Sequence, residues 1–382
     1  MINRVVEYSE SEHGSIDDRI PLLVSRLFNV RSYYIRDGKA YEFHVESKDT
    51  LKDDFVRLVR ELDGYGYHAL LSRTESSDAE GNGGGSSRSD GLILLVVPKV
   101  QPTRRFKPWM PVVLFIATVT VVLYDGLLRS DGLAGLVYGP WQMAALYTLS
   151  LMGILGIHEL GHMLASKAHR IKATWPFFIP GIPGFFVPTF GAVIFSRAPM
   201  TNRDALFDIG VSGPIAGLIV TIVVSFYGAM LSPLIDEAQA RAMMANAQLI
   251  PLQPSLLMEL AFEFTGKSVP GYVPVLSPVA FAAWIGFLIT FLNLLPAWQL
   301  DGGHIARATL GYKWQRRLTF VSVVILAALG YIFMAMFIMF MSARTQDVRP
   351  LDDVSPLSKG RRILFVVVLV LAVLCAPIPS WV

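Results

Sequence analysis

The sequence predicts a polytopic α-helical membrane protein of about six transmembrane helices with a re-entrant β-like loop, preceded by a small soluble α+β domain. Three observations carry that expectation. Hydrophobic residues make up 53% of the 382 and charged residues only 16%, where soluble domains carry about a quarter charged. The first hundred residues are polar and periodic, and after Pro98 the chain turns into long uncharged runs. A third observation is a set of titratable side chains inside one of those runs, where ionisable groups are costly and mark function. The net charge of +3 leaves no electrostatic footprint for nucleic acid. The one cysteine, Cys375, excludes an internal disulfide and a thiolate zinc cluster. Met1 to Asp18 lacks an apolar h-region, so no cleaved signal peptide is expected.

Residues 1–100 are expected to form the soluble domain. Ile16 to Phe28 has helical periodicity, and Thr50 to Leu62 places Leu51, Phe55, Leu58, Val59 and Leu62 on one helical face. Arg31 to Arg36 and Lys39 to Glu46 read as strands around an Asp37-Gly38 hairpin turn. Tyr67 to Ser72 and Leu92 to Val97 read as two more, joined by a flexible loop, Glu80 to Gly91.

Residues 101–382 are expected to form the membrane core. A transmembrane helix needs about 20 mostly apolar residues. Candidate spans are Pro108 to Leu128, a helix from Trp141 to Ala168, Ile209 to Ile235, a segment from near Val279 to Leu300, Leu318 to Ser342, and Ile363 to Val382. Ala173 to Ser196 is also uncharged but holds Pro176, Pro180, Pro183 and Pro188, and prolines at that density break helical hydrogen bonding. It is expected to be a re-entrant loop, with a strand from Thr189 to Arg197 able to hold an extended peptide by strand addition. An irregular surface loop is the plainer alternative.

Lysine and arginine placement sets orientation. Lys99, Arg104, Arg105 and Lys107 precede the first span and put the N-terminal domain in the cytoplasm. With six spans in a cell membrane, the segments around Lys167 to Arg203 and Arg307 to Arg317 also fall inside. The loop holding Arg344, Arg349, Lys359, Arg361 and Arg362 then falls outside and breaks the rule.

The titratable cluster is His158-Glu159-Leu160-Gly161-His162. Residues four apart share a helical face, so the two imidazoles can meet one metal ion with Glu159 beside it as general base. HExxH on a helix is a zinc-hydrolase pattern. A catalytic zinc takes three protein ligands and leaves a position open. The best third candidate lies in Asn293 to His304 (NLLPAWQLDGGH), where Asp301 is the only acidic residue between Glu263 and Asp347. Pro296 interrupts the helix, and Gly302-Gly303 permit an abrupt turn toward a metal. His304 is a rival ligand. Plainer roles are that Asp301 caps the following helix and His304 sits at its polar end.

HELGH followed by Ala165, with the distant NLLPAWQLDGGH, resembles the site-2 proteases, a family of intramembrane zinc metalloproteases. The resemblance covers roughly residues 108–382. It implies that Zn2+ is bound by His158, His162 and Asp301, that Glu159 activates water, and that Asn293 helps hold substrate. A GxxxG-like family pattern matches Gly213 to Gly217, where close helix packing is an equal explanation. The implied function is cleavage of a peptide bond within or near the transmembrane segment of a single-span membrane protein. A non-proteolytic scaffold or metal-handling protein retaining the site is the alternative. The stretch before Leu300-Asp301-Gly302 reads Pro-Ala-Trp-Gln where relatives often have a second proline.

Overall fold

The computed structural model describes residues 19–36, 39–73, 91–99, 107–131, 137–185, 187–196, 198–246, 250–344 and 348–377. The chain divides into two compact units. The first comprises Met1–Arg105 with two later segments, Pro199–Leu206 and Arg349–Leu357. The second comprises Phe106–Ala198, Phe207–Val348 and Ser358–Val382.

In the first unit, helices α1 (Arg19–Leu27) and α2 (Leu51–Tyr65) pack on an antiparallel sheet of β1 (Val30–Arg36), β2 (Ala40–Val45), β3 (Tyr67–Arg73) and β4 (Leu92–Pro98), in the order β1-β2-β4-β3. Period-two alternation on β4 buries Leu92, Leu94 and Val96. They meet Phe55, Leu58 and Leu62 of α2 and Ile20 and Val24 of α1 in one core. Asp53 and Asp54 in the first turn of α2 suit its positive end. Burial alone would raise the Asp54 carboxyl, but hydrogen bonds from Lys48 and Thr50 hold it below the usual carboxylate range. The helix stops at Gly66 in the left-handed region, φ 77°. The expected Asp37-Gly38 turn and residues 80–90 of the Gly/Ser-rich loop lie outside the described residues.

The two later segments complete this unit. Leu71 N–H donates to the Leu351 carbonyl at 2.8 Å, and Leu351 N–H donates to Met200 at 2.8 Å. Ion pairs Lys52–Asp204 (2.6 Å) and Arg203–Asp353 (3.2 Å) accompany them.

The second unit contains, in order, α3 (Met110–Ser130), α4 (Pro140–Ala168), β5 (Phe177–Pro180), β6 (Thr189–Val193), α5 (Arg203–Leu231, whose first residues belong to the first unit), β7 (Leu234–Asp236), α6 (Glu237–Ala245), α7 (Leu256–Phe264), β8 (Tyr272–Pro274), α8 (Pro278–Leu294), α9 (Asp301–Leu310), α10 (Tyr312–Ala328), α11 (Ile332–Arg344) and α12 (Lys359–Cys375). Helix α8 runs through the middle of the core, its side chains from Pro278 to Leu288 all buried. The outer faces of α3 and α5 present Val112, Phe115, Ile116, Ile219 and Val223 outward.

Three helices among the described residues, α3, α4 and α5, are long and apolar enough to cross a membrane, while α8 and α11 are apolar but shorter. The expected set of six uninterrupted spans is therefore revised. The fourth ends at Leu294, ahead of Pro296, rather than at Leu300. The fifth, Leu318 to Ser342, is two helices. Gly330 takes φ 84°, its N–H donates to Ala327 and that of Tyr331 to Leu326, which is the Schellman pattern that ends a helix. Helices α10 and α11 pack on each other. Tyr312, Gln315 and Arg316 from early α10 line one cavity with Ser342 and Ala343 from late α11, so the pair is an antiparallel hairpin. A hydropathy window does not register one glycine inside an apolar run, which is why the sequence read as a single span.

The proline-rich segment forms a two-stranded hairpin, β5 with β6, paired Phe177 with Val193 and Phe178 with Ala192. Its tip is anchored on α3. Asp125, fully buried, accepts from Gly184 N–H (2.8 Å), the Tyr147 hydroxyl (2.7 Å) and Arg129 Nε (2.7 Å). Arg129 also donates to the Phe185 carbonyl at 2.7 Å and stacks over Phe281.

Candidate metal centre

Helix α4 carries His158, Glu159 and His162, and its 29 residues include no internal proline to interrupt the i, i+4 relation. The Nε2 atoms of His158 and His162 lie 3.2 Å apart. Asp301, at the first position of α9, brings Oδ2 to 3.3 Å from His158 Nε2 and 3.4 Å from His162 Nε2. His158 is buried and the other two are partly buried. Among the described residues this is the one group of three such side chains able to share a metal.

Four parts of the chain aim these atoms. The turn between α8 and α9 reverses at Trp298, a non-glycine residue at φ 47°. Thr319 on α10 accepts its N–H (2.9 Å), and Gln315 donates to its carbonyl (2.9 Å). Gly302 and Gly303 take ordinary helical backbone and act by size instead. A Cβ on either would overlap the carbonyls of Leu294 and Leu295 or of Ala297 and Trp298. The expected abrupt turn at the glycines is thus a close approach of α9 to the end of α8. On the far side, α5 presents Gly213 against His162 Nε2 and Gly217 against the His158 ring. Both readings of the small-residue pattern therefore merge, since the close packing is against the two imidazoles themselves.

His162 Nδ1 lies 2.7 Å from the Ile209 carbonyl. A carbonyl only accepts, so Nδ1 carries the hydrogen, and the neutral ring keeps its lone pair on Nε2. With both rings neutral and their Nε2 atoms unprotonated, two lone pairs and a carboxylate oxygen converge, an arrangement that repels itself without a cation. Ligand atoms about 2.0–2.1 Å from a tetrahedral zinc stand about 3.3–3.4 Å apart, close to the three separations here. Donor types and spacing both fit Zn2+.

Glu159 is buried and close enough to interact electrostatically with His162 and Asp301. Asn293, on the last turn of α8, places its amide nitrogen 3.4 Å from His158 Nε2. His304 lies away from the cluster, on the wall of the cavity shared by α9, α10 and α11. Asp301 makes no cap, because the N-cap of α9 is Leu300 and has no side-chain hydrogen bond. Sequence reasoning missed the Ile209 carbonyl, a backbone atom with no sequence signal, and the Thr319 and Gln315 clamp on Trp298. The small-residue pattern from Gly213 to Gly217 was the one visible pointer to this face of α5.

The model of peptidase family M50 matches residues 146–338, a stretch that contains all of the cluster. Relatives include the probable zinc metalloprotease EGY1, chloroplastic, of Oryza sativa subsp. japonica, 28% identical over 352 residues, covering 85% of this chain and 59% of the relative. EGY1 of Arabidopsis thaliana is 25% identical, over 95% of this chain and 71% of the relative. EGY2 of Arabidopsis thaliana is 31% identical, over 45% of this chain and 30% of the relative. The chain thus spans less than two thirds of the rice protein it matches. No solved structure matches. Matched over half its length by that model, and with two imidazoles and a carboxylate at zinc spacing inside the matched stretch, the chain belongs to peptidase family M50, the site-2 protease family of membrane zinc metalloproteases.

Proposed function

We propose that this chain cleaves a peptide bond within or near the transmembrane segment of a single-span membrane protein, with His158, His162 and Asp301 holding Zn2+ and Glu159 as the catalytic base. The observation that carries the reading is the convergence of the three donor atoms at 3.2–3.4 Å beside a buried glutamate. Zinc bound there supplies a Lewis acid for water and for the scissile carbonyl. Glu159 accepts the proton of the attacking water and returns it to the leaving amine. Asp301 and the two histidines hold their atoms fixed through α8–α9 and α5. Asn293, beside His158, is placed to hold a substrate amide.

A substrate helix hides its carbonyls in its own hydrogen bonds, so it must unwind locally and be held extended. Neither outer edge of the β5–β6 hairpin pairs with a further described strand, and Phe190 on β6 is 67% exposed. Edge pairing is the mode of capture we assign to it. The hairpin reads as re-entrant because its tip meets Asp125, 15 residues into α3 from Met110, about 22 Å along the helix axis.

The orientation we propose puts the first unit in the cytoplasm of a cell with this protein in its cell membrane. Met1–Arg105, Pro199–Leu206 and Arg349–Leu357 form one unit, so they share a side. Between the last two, α5 and α8 cross twice and the α10–α11 hairpin returns to where it began. The loop holding Arg344, Arg349, Lys359, Arg361 and Arg362 then lies inside, and the positive-inside rule holds throughout. His162 lies six residues before the cytoplasmic end of α4 at Ala168, about 9 Å deep, which gives water a short path.

The test compares purified protein with Glu159→Gln and Asp301→Ala on a single-span substrate, with zinc measured in parallel. Glu159→Gln is expected to keep zinc and lose cleavage by at least 100-fold, and Asp301→Ala to lose both. Wild-type proteolysis by both variants sinks the assignment, and zinc without cleavage in every form favours the scaffold.

A further inference from the structure

Asp208, on the second turn of α5, joins three helix ends. It accepts from Arg361 Nε at 2.7 Å through Oδ1 and from Arg361 Nη2 at 2.6 Å through Oδ2, a two-pronged clamp. The same Oδ2 lies 2.9 Å from His169 Nε2. Arg361 stands in the first turn of α12 and His169 is the C-cap of α4. The next residue along α5 is Ile209, whose carbonyl receives His162 Nδ1 at 2.7 Å and the Ser212 hydroxyl at 3.0 Å. Pro214 sits inside α5 just beyond and supplies no N–H to the helical ladder, so the Gly210 carbonyl beside Ile209 lacks its usual donor four residues on.

We propose that Asp208, clamped by Arg361 and His169, is a positioning residue for the metal centre: it fixes the Ile209 carbonyl, which sets the tautomer and ring orientation of His162. The proposal rests on His162 being a zinc ligand. A histidine ligand delivers its lone pair in the right direction only if its other nitrogen is held, and loss of such outer partners weakens metal binding about 10–100-fold. Here the partner is a backbone carbonyl, which no side-chain substitution removes, so the side chain that holds that backbone takes over the role. The Arg361 and His169 contacts are 153 and 39 residues away in sequence, yet both converge one residue from the carbonyl.

The experiment uses the full chain in detergent, stripped of metal and titrated with Zn2+ in competition with a chelator, and with Co2+ to read the ligand field from its visible band. Melting of the metal-free forms is followed in parallel. Asp208→Asn and Arg361→Ala are expected to weaken zinc binding by about 10–100-fold and shift the cobalt band, with metal-free melting near wild type. Arg361→Lys, which keeps the charge and one hydrogen bond, is expected to recover part of the affinity, and it carries the test if Asp208→Asn does not fold. Wild-type affinity with an unchanged cobalt band in these variants overturns the proposal, as does an affinity loss that only tracks a lowered melting point. A wild-type chain that binds neither metal sinks the metal-centre reading and this relay with it, and Asp301→Ala sets the scale for full loss.

Discussion

Gly213 shows how little space surrounds His162 Nε2, the atom proposed to face zinc. A Cβ there would overlap the ring at Nε2, Cε1 and Cδ2, so any side chain at 213 competes for the volume the ion needs. Gly153 on α4 is the matched control, with nothing within 4 Å of its virtual Cβ. Gly213→Ala is expected to lose zinc and to lower proteolysis by about 100-fold or more, while Gly153→Ala keeps both and gains up to about 1 kcal/mol of helix stability. Zinc content and melting of the two variants check this. Equal zinc in Gly213→Ala and wild type would mean that α5 yields, and that its glycines serve packing alone. At this scale the sequence was most informative: HELGH names two nitrogens and a carboxylate through helix geometry, and Asp301 stood out because acidic residues are so rare around it. Ile209 was invisible, because its contribution is a carbonyl that every residue owns.

At the scale of elements, the β5–β6 hairpin depends on α3 for its position. Its tip hangs on Asp125, which is fully buried and shares its charge with Arg129 and its remaining lone pairs with Tyr147 and Gly184. Removing the cation from such a pair leaves a buried carboxylate uncompensated, which typically costs about 3–5 kcal/mol. Arg129→Ala is therefore expected to lower stability by that amount and to free the tip, increasing protease nicking near Phe185. A melting curve and limited proteolysis measure both effects, and an unchanged cleavage pattern would show that the hairpin is placed by its strands alone. The proline and glycine content of residues 173–197 showed that the segment breaks helix. It did not show that an aspartate on another helix holds the turn, because Asp125 reads in sequence as the end of an apolar run.

For the whole molecule, the informative fact is that the first unit is built from three stretches of sequence. Segment 349–357 hydrogen-bonds to both 199–206 and β3, so all three are expected on one face of the membrane. Cysteine labelling checks this directly, since Cys375 is buried and is the only native thiol. Asp53→Cys and Pro356→Cys, both at exposed positions, are expected to react with an impermeant thiol reagent from the same side. Labelling from opposite sides would restore a single crossing over Leu318 to Ser342 and undo the hairpin topology. The charge rule had already flagged the arginine-rich loop as anomalous under six simple spans, and in the orientation proposed above the Schellman turn at Gly330 removes that anomaly.

Local sequence was enough to read the membrane class, the elements of the α+β unit to within a few residues, and the chemical types of the candidate metal centre. Those follow from local physics: burial periodicity, proline's missing donor and the four-residue helical repeat. Long-range packing was needed to show which atoms converge at the candidate centre, the reversal at Trp298, the folding back of α11 on α10, and the Arg361–Asp208 clamp behind His162. Each of these depends on groups far apart in sequence meeting at hydrogen-bond distance, and no local pattern encodes such meetings.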